Sequence, residues 1–293
     1  MWNDFDYLRP RTLKMASSLV RKYGSAARIL AGGTDLLVKM KQGVEKPSYV
    51  IDLKGIPKLD QLTYENGTLR IGALVNLSTL EKSALVREKF ATISEAVGSI
   101  GSLQVRNRGT VGGNICNASP AADSPAALIA MGAKAKIYSP ENPRIVPLES
   151  FFTGVGKTVL QPGEFLTEIE VPEPVPRSGS AFIKHGVRNA MEIALINVGA
   201  SVVLNGEGVC TDARIVLGSV APTHIRARKA EASLVGKKID DSLIEKAAEM
   251  AREEISPISD IRASADYRRE VTKVLVKRAL QKAVSRAIGG SKQ

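Results

Sequence analysis

Ile29-Leu30-Ala31-Gly32-Gly33-Thr34-Asp35-Leu36-Leu37 is the stretch on which the reading of this 293-residue chain turns. Ala27 to Leu30 has the composition of a strand, and a helical pattern resumes after Asp35. Two glycines followed by Thr-Asp in between expose consecutive backbone N–H groups. Glycine takes φ > 0 without penalty and carries no Cβ to hold off an oxyanion. Such a turn can cradle a pyrophosphate, and it can also be only a turn. It matches neither the dinucleotide pattern G-x-G-x-x-G nor the P-loop pattern.

A second segment reinforces the first. Arg106-Asn107-Arg108-Gly109-Thr110-Val111-Gly112-Gly113-Asn114-Ile115-Cys116-Asn117-Ala118-Ser119-Pro120-Ala121-Ala122-Asp123 repeats the Gly-Gly pair among small hydroxyl and amide side chains. So many small polar residues make a poor core and a good ligand wall, or else a long structural loop. Asp123-Ser124-Pro125 is expected to open a helix, with Asp as the cap and Pro in the first turn.

Outward from these two segments the chain divides into three stretches. Residues 1 to about 55 read as a small α/β unit: helix Thr12 to Tyr23 with Thr12 as N-cap, strand Ala27 to Leu30, the Gly-rich turn, a second helix and strand Tyr49 to Leu53. Residues 56 to about 175 begin with a hairpin, Leu59 to Tyr64 and Thr68 to Ala73, around Asn66-Gly67. Helices are expected at Thr79 to Ala84 and at Val86 to Ile100. Val171 to Pro176, with three prolines in six residues, reads as a linker. Beyond it three strands (Gly179 to Val187, Asn197 to Leu204, Val209 to Leu217) precede three helices, the last from about Asp266 to Ala287.

Composition limits what the site can be. Lys and Arg number 41 against 30 Asp and Glu, for a formal net charge of +11, and nothing approaches the apolar run a transmembrane helix needs. Met1 to Asp6 has no basic region followed by an apolar stretch, so no signal peptide and a cytoplasmic location are expected. Only Cys116, Cys210, His185 and His224 could serve as soft metal ligands, too few for an iron–sulfur cluster, which takes about four thiolates. Redox chemistry would need an organic cofactor or a partner chain. From Arg262 to Lys292 the net charge is +7, on a helix whose apolar face is expected to comprise Val271, Val274, Leu275, Ala279 and Ala283. Aromatic residues make up 4% of the chain and do not alternate with these cations, so nucleic acid is not the expected partner.

Thr153-Gly154-Val155-Gly156-Lys157-Thr158 ends like a P-loop, but Phe151 stands where the first glycine belongs and Leu160-Gln161-Pro162-Gly163 reads as a turn. Nucleoside triphosphate chemistry needs both the glycine cradle and a following helix, so it is not expected.

With these segments in place, the chain resembles the FAD-binding, medium-sized subunit of the molybdenum hydroxylases, the xanthine dehydrogenase and carbon monoxide dehydrogenase family. Ala31 to Asp35 and Thr110 to Asn114 look like that family's two pyrophosphate-binding motifs. Phe165 to Pro172, Ser180 to Lys184 leading into Arg188, Ala263 to Arg269 and Lys277 to Leu280 extend the likeness nearly end to end. Gly113 to Asn117 and Arg188 to Ile193 look closest to bacterial xanthine dehydrogenases with separate subunits.

The resemblance implies an α+β chain: a two-subdomain FAD-binding domain of the vanillyl-alcohol-oxidase (PCMH) type at 1–175, with subdomains 1–55 and 56–175, and a C-terminal α+β domain at 177–293 with a small antiparallel sheet and helices. It further implies non-covalent FAD, with Ile29, Leu30, Ala31, Gly32, Gly33, Thr34, Asp35 and Leu36, together with Thr110, Gly113 and Asn114, around the diphosphate. Ile100 and Gly101 would line the adenosine side, with Val105, Gly109 and Cys116 also at the cofactor. Asp123 would hold a ribityl or ribose hydroxyl, Leu166 would pack near the flavin ring and Lys184 would approach its polar edge. Thr167, Asn117 and Ala122 depart from the family pattern. No residue of this chain is expected to act as a catalytic acid or base. The partners implied are a molybdenum-cofactor subunit and a subunit with two 2Fe-2S clusters, in a dimer of heterotrimers, with NAD as acceptor and neither membrane nor nucleic acid involved. The rival reading is a self-contained FAD reductase on the related fold of UDP-N-acetylenolpyruvoylglucosamine reductase.

Overall fold

The computed structural model describes residues 4–289. Strand β1 (Asp6–Leu8) leads to helix α1 (Leu13–Tyr23), whose first turn is held by Thr12, its Oγ1 accepting the Met15 N–H at 3.1 Å. Strand β2 (Ala27–Leu30), helix α2 (Leu36–Lys41) and strand β3 (Tyr49–Asp52) follow, and the three strands form a parallel sheet in the order β1-β3-β2. Its core does not close on itself, since Ile51, Leu53 and Ala16 pack with Leu74 and Phe165 of the next unit.

That unit begins with the expected hairpin, β4 (Leu62–Glu65) and β5 (Thr68–Gly72). Asn66 and Gly67 have φ of 50° and 70°, the positive pair a type I′ turn demands. Helices α3 (Leu77–Lys82), α4 (Ala84–Lys89), α5 (Ala91–Gly98), α6 (Leu103–Arg106), α7 (Val111–Cys116) and α8 (Asp123–Ala130) come next. Strands β6 (Lys134–Tyr138), β7 (Arg144–Pro147), β8 (Phe152–Gly154), β9 (Lys157–Thr158) and β10 (Phe165–Pro172) complete it. The main sheet is antiparallel, in the order β4-β5-β10-β6-β7.

Three expectations are corrected here. The single helix over Val86 to Ile100 is broken at Phe90, which leaves helical geometry at φ −130° and ψ 39° and is fully buried. The second Gly-Gly pair lies inside helix α7, capped by Thr110, rather than in a loop. Asp123 is the first residue of α8 and not its cap, which is Ala122. The P-loop look-alike is the β8–β9 hairpin, with Gly156 at φ 67° in its turn.

After Pro172, residues 173–177 are exposed and lead to β11 (Ser178–His185), β12 (Ile196–Leu204), β13 (Cys210–Gly218) and β14 (Ile225–Arg226), an antiparallel sheet in chain order. Helices α9 (Arg228–Leu234), α10 (Asp241–Glu253) and α11 (Ala265–Gly289) cover one face. Helix α8 covers the other, which is why β12 reads as a nearly unbroken apolar run. Both faces are packed to backbone contact. A Cβ on Gly199 would fall on the Ala126 carbonyl of α8, and one on Gly179 would fall on the Ala283 carbonyl of α11.

The basic charge of α11 is largely answered within the chain. Lys273 pairs with Glu249 at 2.9 Å, Lys277 with Glu245 at 2.8 Å, Lys282 with Glu95 at 2.9 Å and Arg268 with Asp260 at 2.9 Å, while Arg286 also reaches Glu95. Val274, expected on the apolar face, is instead 44% exposed, whereas Leu275, Ala279 and Ala283 are buried.

Candidate functional site

Strand β2 delivers the chain into the turn at 31–35, and Gly33 there has φ of 81°, which an L side chain rarely adopts. Gly32 lies so close to the other glycine segment that a Cβ would overlap the Arg108 carbonyl. The two Gly-rich stretches, far apart in sequence, thus meet backbone to backbone where Gly32 approaches Arg108.

Between them opens a cavity of about 610 Å³. From the first stretch, Ile29, Ala31, Gly33, Thr34, Asp35 and Leu36 line it. From the second come Ile100, Val105, Gly109, Thr110, Gly113, Asn114 and Cys116, and Leu166 of β10 closes one wall. Lining residues not singled out in the sequence include Leu77, Leu160, Phe165 and Lys39. The first three are apolar, and although Leu160 and Phe165 open segments noted above, nothing local marks them as cavity residues. Lys39 is one helical turn beyond Asp35, a spacing that places both on one face of α2.

The two stretches contribute differently. Among the described residues, the N–H groups of Gly33, Thr34, Asp35 and Leu36 find no protein acceptor. Those of α7 are all taken: Val111 donates to the Val75 carbonyl at 3.0 Å, Gly112 to that of Ala73 at 2.9 Å, and Gly113 to Thr110 Oγ1 at 3.0 Å. The 33–36 turn therefore offers donors to an anion, while α7 offers a surface without a Cβ at Gly113. Burial pushes the Cys116 thiol up to about 12, so it stands in the wall as a neutral group.

Five of the residues implied by the resemblance are not on this cavity. Leu30 packs with Met40 and Val50 beneath the turn. Gly32 lines an adjoining cavity of about 360 Å³ with Lys54 and Arg108. Gly101, at φ 55°, lies under the Val105 side chain. Asp123 and Lys184 form a buried ion pair at 2.6 Å. All three ammonium N–H groups of Lys184 are used, since it also donates to the Ser99 carbonyl at 3.0 Å and the Glu192 carbonyl at 2.9 Å. Asp123 accepts from Asn197 at 2.9 Å as well, and burial pushes its pKa up against the opposing pull of Lys184. His185 faces Tyr267 of α11, with Nε2 3.0 Å from the hydroxyl.

A further cavity of about 450 Å³ lies at the seam with the C-terminal sheet. Its cations are occupied: Lys89 pairs with Glu173 at 2.7 Å, Arg286 with Glu95, and Arg214 lies 3.6 Å from Asp212. The 610 Å³ cavity, with free amides, a bare glycine surface and apolar walls at Ile29, Ile100, Val105 and Leu166, fits a ligand that has an anionic middle and flat apolar ends.

Comparison with known proteins agrees with that chemistry. Residues 3–174 match the FAD binding domain in molybdopterin dehydrogenase, and residues 181–283 match the CO dehydrogenase flavoprotein C-terminal domain. The xanthine dehydrogenase FAD-binding subunit of Escherichia coli is 32% identical over 295 residues, covering 100% of both chains. The carbon monoxide dehydrogenase medium chain of Hydrogenophaga pseudoflava is 35% identical over 283 residues, covering 96% of this chain and 98% of its own. Among solved structures, carbon monoxide dehydrogenase from Hydrogenophaga pseudoflava superposes with a TM-score of 0.94 at 35% identity, over 98% of this chain and 99% of that one. Quinoline 2-oxidoreductase from Pseudomonas putida gives a TM-score of 0.91 at 31% identity, over 98% and 99%. With these two domains in this order along nearly its whole length, the chain belongs to the FAD-binding subunits of the molybdenum hydroxylase family, oxidoreductases that carry FAD.

Proposed function

We propose that this chain is the electron-relay subunit of a molybdenum-containing dehydrogenase. In this reading it takes electrons from 2Fe-2S clusters in one partner subunit, after a molybdenum-cofactor subunit has oxidised the substrate, and passes them to NAD. The assembly is a dimer of heterotrimers. FAD, when bound, supplies the redox chemistry between one-electron clusters and a two-electron acceptor. The residues of this chain bind it, orient it and keep water from its buried parts.

The single observation that carries this reading is the 610 Å³ cavity clasped between the two glycine stretches. Free amides at 33–36 receive the diphosphate, and Thr110, Gly109, Gly113 and Asn114 close over it. Ile29, Ile100, Val105, Cys116 and Leu166 form the walls for the ring systems. Leu30, Gly32 and Gly101 act behind this layer by shaping the two turns. Asp123 and Lys184 lock α8 to β11 behind the cavity, rather than presenting free groups at it. We take 1–175 as the FAD-binding domain, with subdomains 1–55 and 56–175 as its two jaws, and 177–293 as the C-terminal domain. Two cysteines in the whole chain leave the clusters to another subunit.

The test is reconstitution. The purified chain takes up FAD yet oxidises no purine, aldehyde or N-heterocycle, and turnover with NAD appears only when cluster-bearing and molybdenum-bearing chains are added. Substrate turnover by this chain with FAD alone would replace the relay with the self-contained reductase.

A further inference from the structure

We propose that Lys39 supplies the positive charge opposite the diphosphate of the bound flavin dinucleotide, and that Asn117 holds its ammonium in place across the cavity. The proposal rests on the assignment of FAD to this cavity and adds to it a binding residue outside both glycine stretches.

Two cationic side chains line the cavity, Arg28 and Lys39. Arg28 is fully engaged. Its guanidinium meets the Glu45 carboxylate at 2.9 Å through Nε and again through Nη2, and Nη1 donates to the carbonyls of Ser25 and Ala27 at 2.9 and 3.0 Å. Lys39 has no carboxylate within ion-pair distance among the described residues. Its one protein partner there is the Asn117 side-chain oxygen at 2.9 Å, which leaves two of three ammonium donors for a ligand.

The placement is specific. Lys39 rises from α2 directly beyond the free amides of 33–36, whereas Asn117 is the C-cap of α7, so the contact spans from one jaw to the other. Asn117 also donates to the Asp35 carboxylate at 3.3 Å. The amide thereby turns its oxygen to the ammonium and its nitrogen to Asp35, one of two carboxylates lining the cavity; the other, Glu45, is paired with Arg28 at 2.9 Å. A diphosphate moved from water into a partly closed cavity needs compensation beyond neutral N–H groups, and a charged donor supplies about twice what a neutral one does. Lys54 and Arg108 face the adjoining cavity instead, and Lys54 is already paired with Asp52 at 2.7 Å.

The experiment titrates FAD into flavin-free full-length protein, by fluorescence, for wild type, Lys39→Met, Lys39→Arg and Arg108→Met at low and high salt. Lys39→Met is expected to weaken FAD about tenfold at low salt and to flatten the salt dependence of its Kd, since the lost attraction is one that ions screen. Lys39→Arg, which keeps the charge, is expected to restore most of the affinity. The thermal midpoint of the flavin-free protein should be the same in wild type and Lys39→Met. FAD affinity unchanged in Lys39→Met, a loss that salt does not diminish, or a loss confined to Arg108→Met would each overturn the assignment to Lys39 while leaving the FAD site intact. Wild-type protein that takes up no FAD would overturn both.

Discussion

His224 is buried between Phe152, whose ring centroid lies 5.7 Å away, and the Ala122 carbonyl, to which its Nε2–H donates at 2.7 Å. Burial holds its pKa down to about 4, against an unfolded value near 6.5. Between those values the unfolded chain binds a proton that the folded chain does not, so stability rises with pH across that window. It is fully present above about pH 6.5 and is lost as pH falls toward 4. The loss amounts to about 3 kcal/mol for a shift of this size. Urea unfolding at stepped pH should show this acid-dependent loss in wild type and not in His224→Gln; equal slopes in the two proteins would refute it. Neither histidine lines the 610 Å³ cavity: His224 is a neutral donor in the packing, and His185 is engaged with Tyr267 of α11.

Helix α7 shows at the scale of an element how one pair of glycines divides its work. A Cβ on Gly112 would lie 2.5 Å from the Ala73 carbonyl, so Gly112→Ala must push α7 off the end of β5. Overpacking of this kind typically costs about 1–3 kcal/mol, read as a lower denaturant midpoint. Gly113 has only Thr110 Oγ1 within 3 Å of the same position and otherwise faces the cavity. Gly113→Val should therefore keep most of the stability and lose flavin. Flavin content equal to wild type in Gly113→Val would remove α7 from the diphosphate site.

The sequence marked Gly113 as a binding residue but showed neither the packing role of Gly112 nor the helix itself. Val-Gly-Gly-Asn-Ile-Cys has poor helix propensity, and the helix exists because Thr110 caps it and the carbonyls of Ala73 and Val75, just past the end of β5, accept its first amides. Other gaps have similar causes. Strand β10 alternates polar and apolar residues from Glu168 to Val171, but a bulge between Leu166 and Glu168 breaks the period that would reveal it. The break between α4 and α5 falls at Phe90, which carries no glycine or proline signal. The hairpin at Asn66-Gly67, strands β2 and β11–β13 and helix α1 were legible because their turn and cap chemistry is local. The cavity's glycines were legible as motifs, whereas Leu77 came to it through tertiary packing alone and Lys39 only through its helical spacing from Asp35.

At the scale of the whole molecule, the segment that reads most clearly as a boundary is not a boundary in packing. Phe182 of β11 and Val216 of β13 belong to the same buried cluster as the helices and sheet of the FAD-binding half. Gly199 brings β12 against the backbone of α8, and Lys184 ties β11 to the Ser99 carbonyl and to Asp123. The pairing of α11 cations with Glu95, Glu245 and Glu249 likewise turns the basic charge of that helix into internal contacts, with Lys282 and Arg286 both reaching Glu95 of α5 across the seam. Among the described residues, no helix is long and apolar enough to cross a membrane.

Gly199 against Ala126 has a consequence for how the molecule would survive being cut. Residues 173–177 are exposed, and a protease acting there would sever the polypeptide without touching that seam. The two fragments should co-elute in gel filtration with flavin still bound and part only in denaturant; fragments that separate in native buffer would show the seam to be weaker than its packing. If they stay together, residues 173–177 mark a split point, at which the gene could be divided and the halves made as separate chains that find each other.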